Sequence, residues 1–376
     1  MVSLDKFAAE KLDRAAAQSL LRTLPPANMA GLNFSSNDYL GLSCDPRLAE
    51  ASAKAARALG TGAGASRLVT GNHEGYAACE AAIAALKSTE AALVFGAGYL
   101  ANIGTVPAVV SEGDLIVMDE LSHACMISGA RLSGAAIHSF RHNDVEHLKH
   151  LLARERGRHR NCLVMTEGVF SMDGDLAPLG DIHAIARDHD AWLMTDDAHG
   201  LGVVGQGRGS AHAAGIKPDI QMGTFSKAVG SYGGYVAASA AVVSMLVNRA
   251  RSLIFSTGLP PAVVAASTAG LDIIARDPDL CARPLALARL FCARADLAPA
   301  QSAIVPVVLG DAATALEASD MLAREGFLVR AIRPPTVPEG TARLRVTFTA
   351  THVEDDVLRL ADLVRNKLHV RRGKIR

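Results

Sequence analysis

Between residues 72 and 238, short apolar runs alternate with longer segments whose apolar positions recur at helical spacing. The runs are Ala91–Phe95, Leu115–Met118, Ile137–Phe140, Leu163–Thr166, Trp192–Thr195, Ile220–Gly223 and Tyr235–Ala238. The helix-like segments cover 72–88, 99–111, 122–133, 143–155 and 179–190. Apolar residues at consecutive positions mark strands buried on both faces, and helices between them mark parallel crossovers. The pattern predicts an α/β unit, a mostly parallel seven-stranded sheet covered on both sides. Ligands of such sheets bind beyond the carboxyl ends of the strands. Residues that break the apolar pattern gather there: Gly96, Gly98, Tyr99, Asp119, Glu120, Glu167, Ser171, Asp196, Asp197, His199 and Lys227.

The flanks read differently. Residues 3–22 have the spacing of an amphipathic helix, ended by Pro25-Pro26, and Asn33–Leu42 is a short strand running into a polar turn. A helix over Pro46–Leu59 opens on its proline. Gly60–Gly71 is a glycine-rich loop without the strand-then-helix frame of a dinucleotide fingerprint. After a helical stretch at 260–276, strands are expected at Ala303–Val308, Phe327–Ile332 and Leu344–Phe348, with helices at 311–325 and 353–368. The chain thus divides into an N-terminal segment (1–45) packing with the small domain, a large α/β domain (46–275) and a smaller C-terminal α+β domain (276–376).

Composition narrows the classes. Lys+Arg and Asp+Glu both number 38, which gives no reason to expect nucleic acid or an anionic membrane surface. The basic run Arg371–Arg376 reads as a solvated terminus rather than a binding arm. Six scattered cysteines (Cys44, Cys79, Cys125, Cys162, Cys281, Cys292) include no Cys-x-x-Cys, so neither a metal site nor a disulfide scaffold is expected. Asp5, Lys6, Glu10 and Lys11 interrupt any signal-peptide core. Residues 228–248 carry no charge, but their glycines and serines make the stretch a buried strand and helix rather than a membrane span. A cytoplasmic protein is the expectation.

The candidate chemistry centres on Gly223-Thr-Phe-Ser-Lys-Ala-Val-Gly-Ser-Tyr-Gly-Gly234. Lys227 is the only charged residue between Asp219 and Arg249. Glycines admit a bulky flat ligand, and a desolvated amine loses basicity and becomes a nucleophile. A Schiff-base lysine holding pyridoxal phosphate (PLP) and a surface lysine in a glycine-rich hairpin both fit this stretch alone. Phe95-Gly-Ala-Gly-Tyr-Leu-Ala-Asn102 joins a strand to a helix start, either a phosphate seat or a plain turn. Met194-Thr-Asp-Asp-Ala-His-Gly-Leu-Gly202 ends a buried strand on two carboxylates and an imidazole. Adjacent strand residues point to opposite faces, so Asp196 and Asp197 cannot both meet one ligand. A carboxylate at a pyridine nitrogen keeps that ring protonated; a helix cap or an ion pair is the alternative. His123, in Asp119-Glu-Leu-Ser-His-Ala124, is either a stacking ring or a surface histidine.

Taken together, Asn33–Leu42, Gly98–Asn102, Leu121-Ser-His123, Thr166-Glu-Gly-Val-Phe-Ser-Met-Asp-Gly174, Asp196–Gly202 and Thr224–Gly230 resemble the α-oxoamine synthases, PLP-dependent enzymes of fold type I. The resemblance covers nearly the whole chain. The run Ala331-Ile-Arg-Pro-Pro-Thr-Val-Pro-Glu-Gly-Thr-Ala-Arg-Leu-Arg345 is similar to the branch acting in biotin biosynthesis. That branch joins L-alanine to pimeloyl-CoA, or to a pimeloyl thioester of a carrier protein, with loss of carbon dioxide.

The resemblance implies that Lys227 forms the Schiff base with PLP and moves the α-proton. It implies that Asp196 meets the pyridine nitrogen, His199 the ring oxygen and His123 the ring face. Gly98 and Tyr99 would lie by the phosphate and ring, with Ser171 and Thr224 hydrogen-bonding the cofactor. Arg345 and Asn37 would take the amino-acid carboxylate, and Arg22 and Thr336, with His123, would contact substrate. Ser256 and Thr257 would reach a neighbouring subunit, so a homodimer with its active site at the interface is implied. The chain is shorter than the pattern between Pro26 and Asn33, and Tyr76 stands where many relatives carry histidine. Rival readings are a sister enzyme using glycine or serine with another acyl-CoA, an aminotransferase, and a catalytically silent subunit, which would have no need of Lys227.

Overall fold

The computed structural model describes every residue except 1, 19, 25–29, 369 and 371–376. The expected stop at Pro25-Pro26, the shortened stretch after Pro26 and the basic end therefore lie outside the described residues, the last two in part and in full respectively. In chain order the strands are β1 (Leu32–Asn33), β2 (Ala91–Phe95), β3 (Leu115–Asp119), β4 (Ala136–Phe140), β5 (Cys162–Glu167) and β6 (Trp192–Asp196). They continue as β7 (Ile220–Thr224), β8 (Gly234–Ala238), β9 (Ile304–Gly310), β10 (Phe327–Leu328), β11 (Arg330–Ile332) and β12 (Ala342–Thr347).

The seven expected runs form one sheet in the order β2-β8-β7-β6-β5-β3-β4, with β8 antiparallel to both neighbours and the other pairs parallel. Both faces are buried in every strand but the edge strand β4, whose His138 and Ser139 break its apolar run. Leu115 and Val117 of β3 pack into one cluster with Leu193 of β6, while Ile116 and Met118 pack into another with Met194. Helices cover both faces of this mostly parallel sheet, the α/β architecture that the pattern predicts. Among the described residues no helix is long and apolar enough to cross a membrane.

The C-terminal part forms a three-stranded antiparallel sheet, β11-β12-β9. Its core gathers Phe291, Phe327 and Phe348 around Phe34 from the N-terminal segment. β1 pairs in parallel with β10, and the Thr347 backbone donates to the Phe34 carbonyl at 2.8 Å. This pairing carries residues 35–41 to the loop that follows the central strand β6, where Tyr39 meets His199.

Three expectations need correction. The first helix spans Leu4–Ala17 rather than 3–22 and buries none of its residues. The run 327–332 is split into β10 and β11, which pair with different partners. An 18-residue helix, Pro278–Ala295, goes unforeseen. Its Pro278 is a favourable first-turn residue, whereas the interior Pro284 disguises the pattern.

Candidate functional site

Strands β2, β5, β6 and β7 end at one rim, and the side chains there converge on a cavity of about 290 Å³. Asp196 is the last residue of β6; its Oδ2 accepts from Asn102 Nδ2 at 2.8 Å and its Oδ1 from the Ala198 backbone at 3.0 Å. Asp197, one residue on, faces away. Its Oδ2 lies 2.6 Å from Lys87 Nζ, with side-chain exposures of 1% and 0%, and Ser210 donates to its Oδ1 through both N and Oγ. The strand period thus separates the two carboxylates as expected.

Lys227 follows β7 and points its Nζ to 2.7 Å from His199 Nε2. The other ring nitrogen of His199 lies 2.6 Å from Tyr39 Oη. Burial pushes the Lys227 amine down to about 8, with Asp196 and Glu167 opposing that fall and Arg345 adding to it. Burial also holds His199 well below its ordinary value, helped by the Lys227 and Arg345 cations, so its imidazole is neutral. Glu167 is pushed well above the usual carboxylate range, by burial first and the Asp196 charge second. Its Oε2 accepts from the Ser171 backbone at 3.2 Å, while Oε1 is buried with no hydrogen-bond partner among the described residues.

Arg345 reaches the rim from β12, whose neighbouring residues Leu344 and Val346 point into the small-sheet core. Its Nε donates to the Ser171 carbonyl at 2.5 Å and its Nη1 to Asn37 Oδ1 at 2.9 Å. Arg343, two residues earlier and so on the same face, pairs with Asp173 at 2.5 Å. The loop after β5 is held from the other side by His142, whose Nδ1 is 3.1 Å from Asp119 Oδ1 and whose Nε2 is 2.8 Å from Asp175 Oδ2. Burial opposes charge on His142, but its hydrogen bonds to the two carboxylates outweigh it and push the ring up to about 10.

The cavity brings together Lys227, His123, Asp196, His199, Gly98, Tyr99, Thr224 and Asn37. Ser171 and Arg345 border it through the Asn37 contact. Arg22 and Thr336 do not join them: Arg22 Nη2 donates to Thr336 Oγ1 at 2.9 Å in a separate hollow of about 620 Å³. Thr224 Oγ1 is engaged with the Gly233 carbonyl at 2.6 Å. Thr257 bridges to Ser66 on the exposed loop that also holds Ser256. Tyr76 is buried and its hydroxyl accepts from the Leu259 backbone at 2.5 Å, so this departure from the family pattern fixes the same loop.

Tyr39, Asn102 and Cys125 go unassigned in the sequence reading. Each had a signal: an aromatic in a polar turn, an amide in an apolar helix, and a thiol two residues from His123.

The set suits a flat, phosphorylated heteroaromatic ring. The helix Gly98–Val109 begins at the cavity with no side chain capping it, so its first backbone N–H groups are offered to an anion. A Cβ on Gly98 would stand 3.1 Å from Thr224 Cβ, space the glycine leaves open. A carboxylate, a neutral imidazole and an amine of lowered basicity complete a donor set matched to PLP.

Residues 30–364 match the family model described as "Aminotransferase class I and II". The chain is 53% identical over 377 residues to the 8-amino-7-oxononanoate synthase of Beijerinckia indica, spanning 97% of this chain and 98% of that one. Among solved structures it is similar to the serine palmitoyltransferase of Sphingomonas wittichii, with TM-score 0.89, 31% identity and coverage of 97% and 98%. A second serine palmitoyltransferase structure, containing PLP, superposes with TM-score 0.90 at 29% identity and the same coverage.

Proposed function

The chain belongs to the aminotransferase class I and II family, in its α-oxoamine synthase branch, and we propose that it condenses L-alanine with pimeloyl-CoA. The products are 8-amino-7-oxononanoate, CoA and carbon dioxide. It is a PLP-dependent acyltransferase of biotin synthesis. The observation that carries the proposal is the Lys227 amine held 2.7 Å from His199 in the cavity that Asp196 and His123 also line.

PLP, when bound, supplies a ring that takes up the electron pair left on the α-carbon. The Gly98 and Tyr99 backbone, with Thr224 and Ser171, would hold it. Asp196 would keep a proton on the pyridine nitrogen, His199, backed by Tyr39 at its other ring nitrogen, would meet the ring oxygen, and His123 would cover the ring face. Arg345, aimed by Ser171 and Asn37, receives the amino-acid carboxylate. Lys227, lowered to about 8, is neutral often enough near pH 7 to remove the α-proton and later return one. The α-carbon bonds to the thioester carbonyl, CoA leaves as its thiol, and loss of carbon dioxide from the β-keto acid completes the change. Arg22 and Thr336 would meet the acyl substrate. Ser256 and Thr257 would face a second copy of the chain in a homodimer.

A second reading, with glycine or serine and another acyl-CoA, draws on the similarity to serine palmitoyltransferases. Arg345 serves any α-amino acid, so the space at the α-carbon must choose, and one methyl is worth only ~1–3 kcal/mol there. Alanine is therefore expected to lead, with glycine and serine reacting detectably. The test mixes protein and PLP with each amino acid and a panel of acyl-CoAs, reading free thiol and product mass. Condensation confined to glycine or serine with other acyl groups would move the chain to the second reading.

A further inference from the structure

We propose that Cys125 is a positioning residue for His123, its thiol hydrogen fixing the imidazole as the neutral tautomer with hydrogen on Nε2. This rests on His123 facing the cofactor ring, although the tautomer itself can be read without any turnover. His123 caps the helix Ala124–Ser133, and its Nδ1 accepts from the Cys125 backbone N–H at 3.2 Å. Cys125 Sγ lies 2.8 Å from the same Nδ1 and 3.0 Å from Asn102 Nδ2. An amide nitrogen can only donate, and Asn102 sends its other hydrogen to Asp196 Oδ2 at 2.8 Å. The sulfur accepts from Asn102, and because Nδ1 already accepts from the Cys125 backbone N–H it has no hydrogen to give, so the thiol is the donor to His123.

The thiol keeps its hydrogen, because burial and then the Asp196 charge push it well above its ordinary range. A nitrogen that accepts two hydrogens carries none of its own, so the ring hydrogen sits on Nε2. A chain of contacts thus runs Asp196–Asn102–Cys125–His123, from the carboxylate that would meet the ring nitrogen to the imidazole over the ring. Other titratable groups acting on this cluster are Lys227, Glu167 and His199; burial is the main force keeping His123 neutral, opposed by the Asp196 charge and aided by the Lys227 cation. The result is a fixed N–H donor inside the cavity, suited to a substrate carboxylate or thioester carbonyl.

The test uses the PLP-loaded protein labelled with ¹⁵N-histidine, with two-bond ¹H–¹⁵N spectra that distinguish the tautomers and a His123→Asn spectrum for assignment. Wild type is expected to show His123 with hydrogen on Nε2 across roughly pH 6 to 8. Cys125→Ser retains a donor and should keep that signature. Cys125→Ala loses one of two hydrogen bonds to Nδ1, so His123 should protonate about one pH unit higher. An Nδ1–H tautomer in wild type overturns the proposal even if no variant folds, as does a Cys125→Ala protein whose His123 titrates like wild type. A correct tautomer in a protein that condenses nothing would refute the proposed reaction and leave this assignment standing.

Discussion

Two lysines stand on opposite sides of β6, Lys87 buried and Lys227 half-buried in the cavity, and their surroundings differ in kind. Lys87 lies 2.6 Å from Asp197 and donates to the Arg208 carbonyl at 2.8 Å, while Ser210 supplies further hydrogen bonds to the same carboxylate. Everything charged there is paired. Lys227 instead has a neutral imidazole as its near neighbour, and Asp196 is met by one side-chain amide and one backbone N–H. Glu167 nearby keeps an oxygen without a hydrogen-bond partner among the described residues. A folded chain tolerates such shortfalls where a ligand completes the set, because buried polar groups otherwise cost stability. The Lys87 side holds the structure together; the Lys227 side is left incomplete for chemistry.

The sharpest way to break this contrast is to remove each lysine. Lys227→Ala should fold and melt close to wild type yet lose about 10³-fold or more of its thiol-releasing activity, the scale of a missing acid–base group. Lys87→Ala should do the reverse, strongly destabilised because it strands a buried charge. Next come the two carboxylates. Asp196→Asn should cost roughly 10²-fold in rate with little change in melting temperature. Asp197→Asn should cost ~3–5 kcal/mol of stability by leaving Lys87 unpaired, read by denaturant unfolding. If Asp197→Asn proved the slower enzyme and the more stable protein, the two faces would be misassigned.

Smaller effects concern pH. His142, raised to about 10 from an ordinary 6.5, adds stability that is fully present below about 6.5 and is lost as pH rises through about 10. The stability advantage of wild type over His142→Gln should accordingly shrink over that window; a constant difference would mean the Asp119–His142–Asp175 contacts act without charge. Lys227 is shifted in the opposite direction, downward, its amine becoming neutral above about 8. Cofactor-free protein should take up PLP faster as pH rises through 8 and level off above it. An inflection nearer the ordinary lysine value of 10.5 would show that the cavity does not lower the amine.

Much of the frame was legible because its physics is local. Short, largely apolar runs marked all seven strands of the large sheet, even the edge strand β4 with its His138 and Ser139, and the strand period foretold that Asp196 and Asp197 would part. The helix Pro278–Ala295 escaped because Pro284 interrupts its pattern, and β10 and β11 merged because six residues cannot reveal a change of partner. At the site, Lys227 was visible as a charge alone among glycines. Tyr39 and Asn102 were not, since what matters about them is contact across 160 and 94 residues of chain. Arg22 and Thr336 meet each other, but in a hollow apart from the lysine, a distinction no spacing could supply.

The most direct test of the contrast is to load the protein with PLP, reduce it with borohydride, and locate the fixed cofactor by peptide mass. The account requires the label on the peptide containing Lys227, its loss in Lys227→Ala, and none on Lys87. Label on Lys87 or another lysine, or undiminished label and turnover in Lys227→Ala, would contradict it.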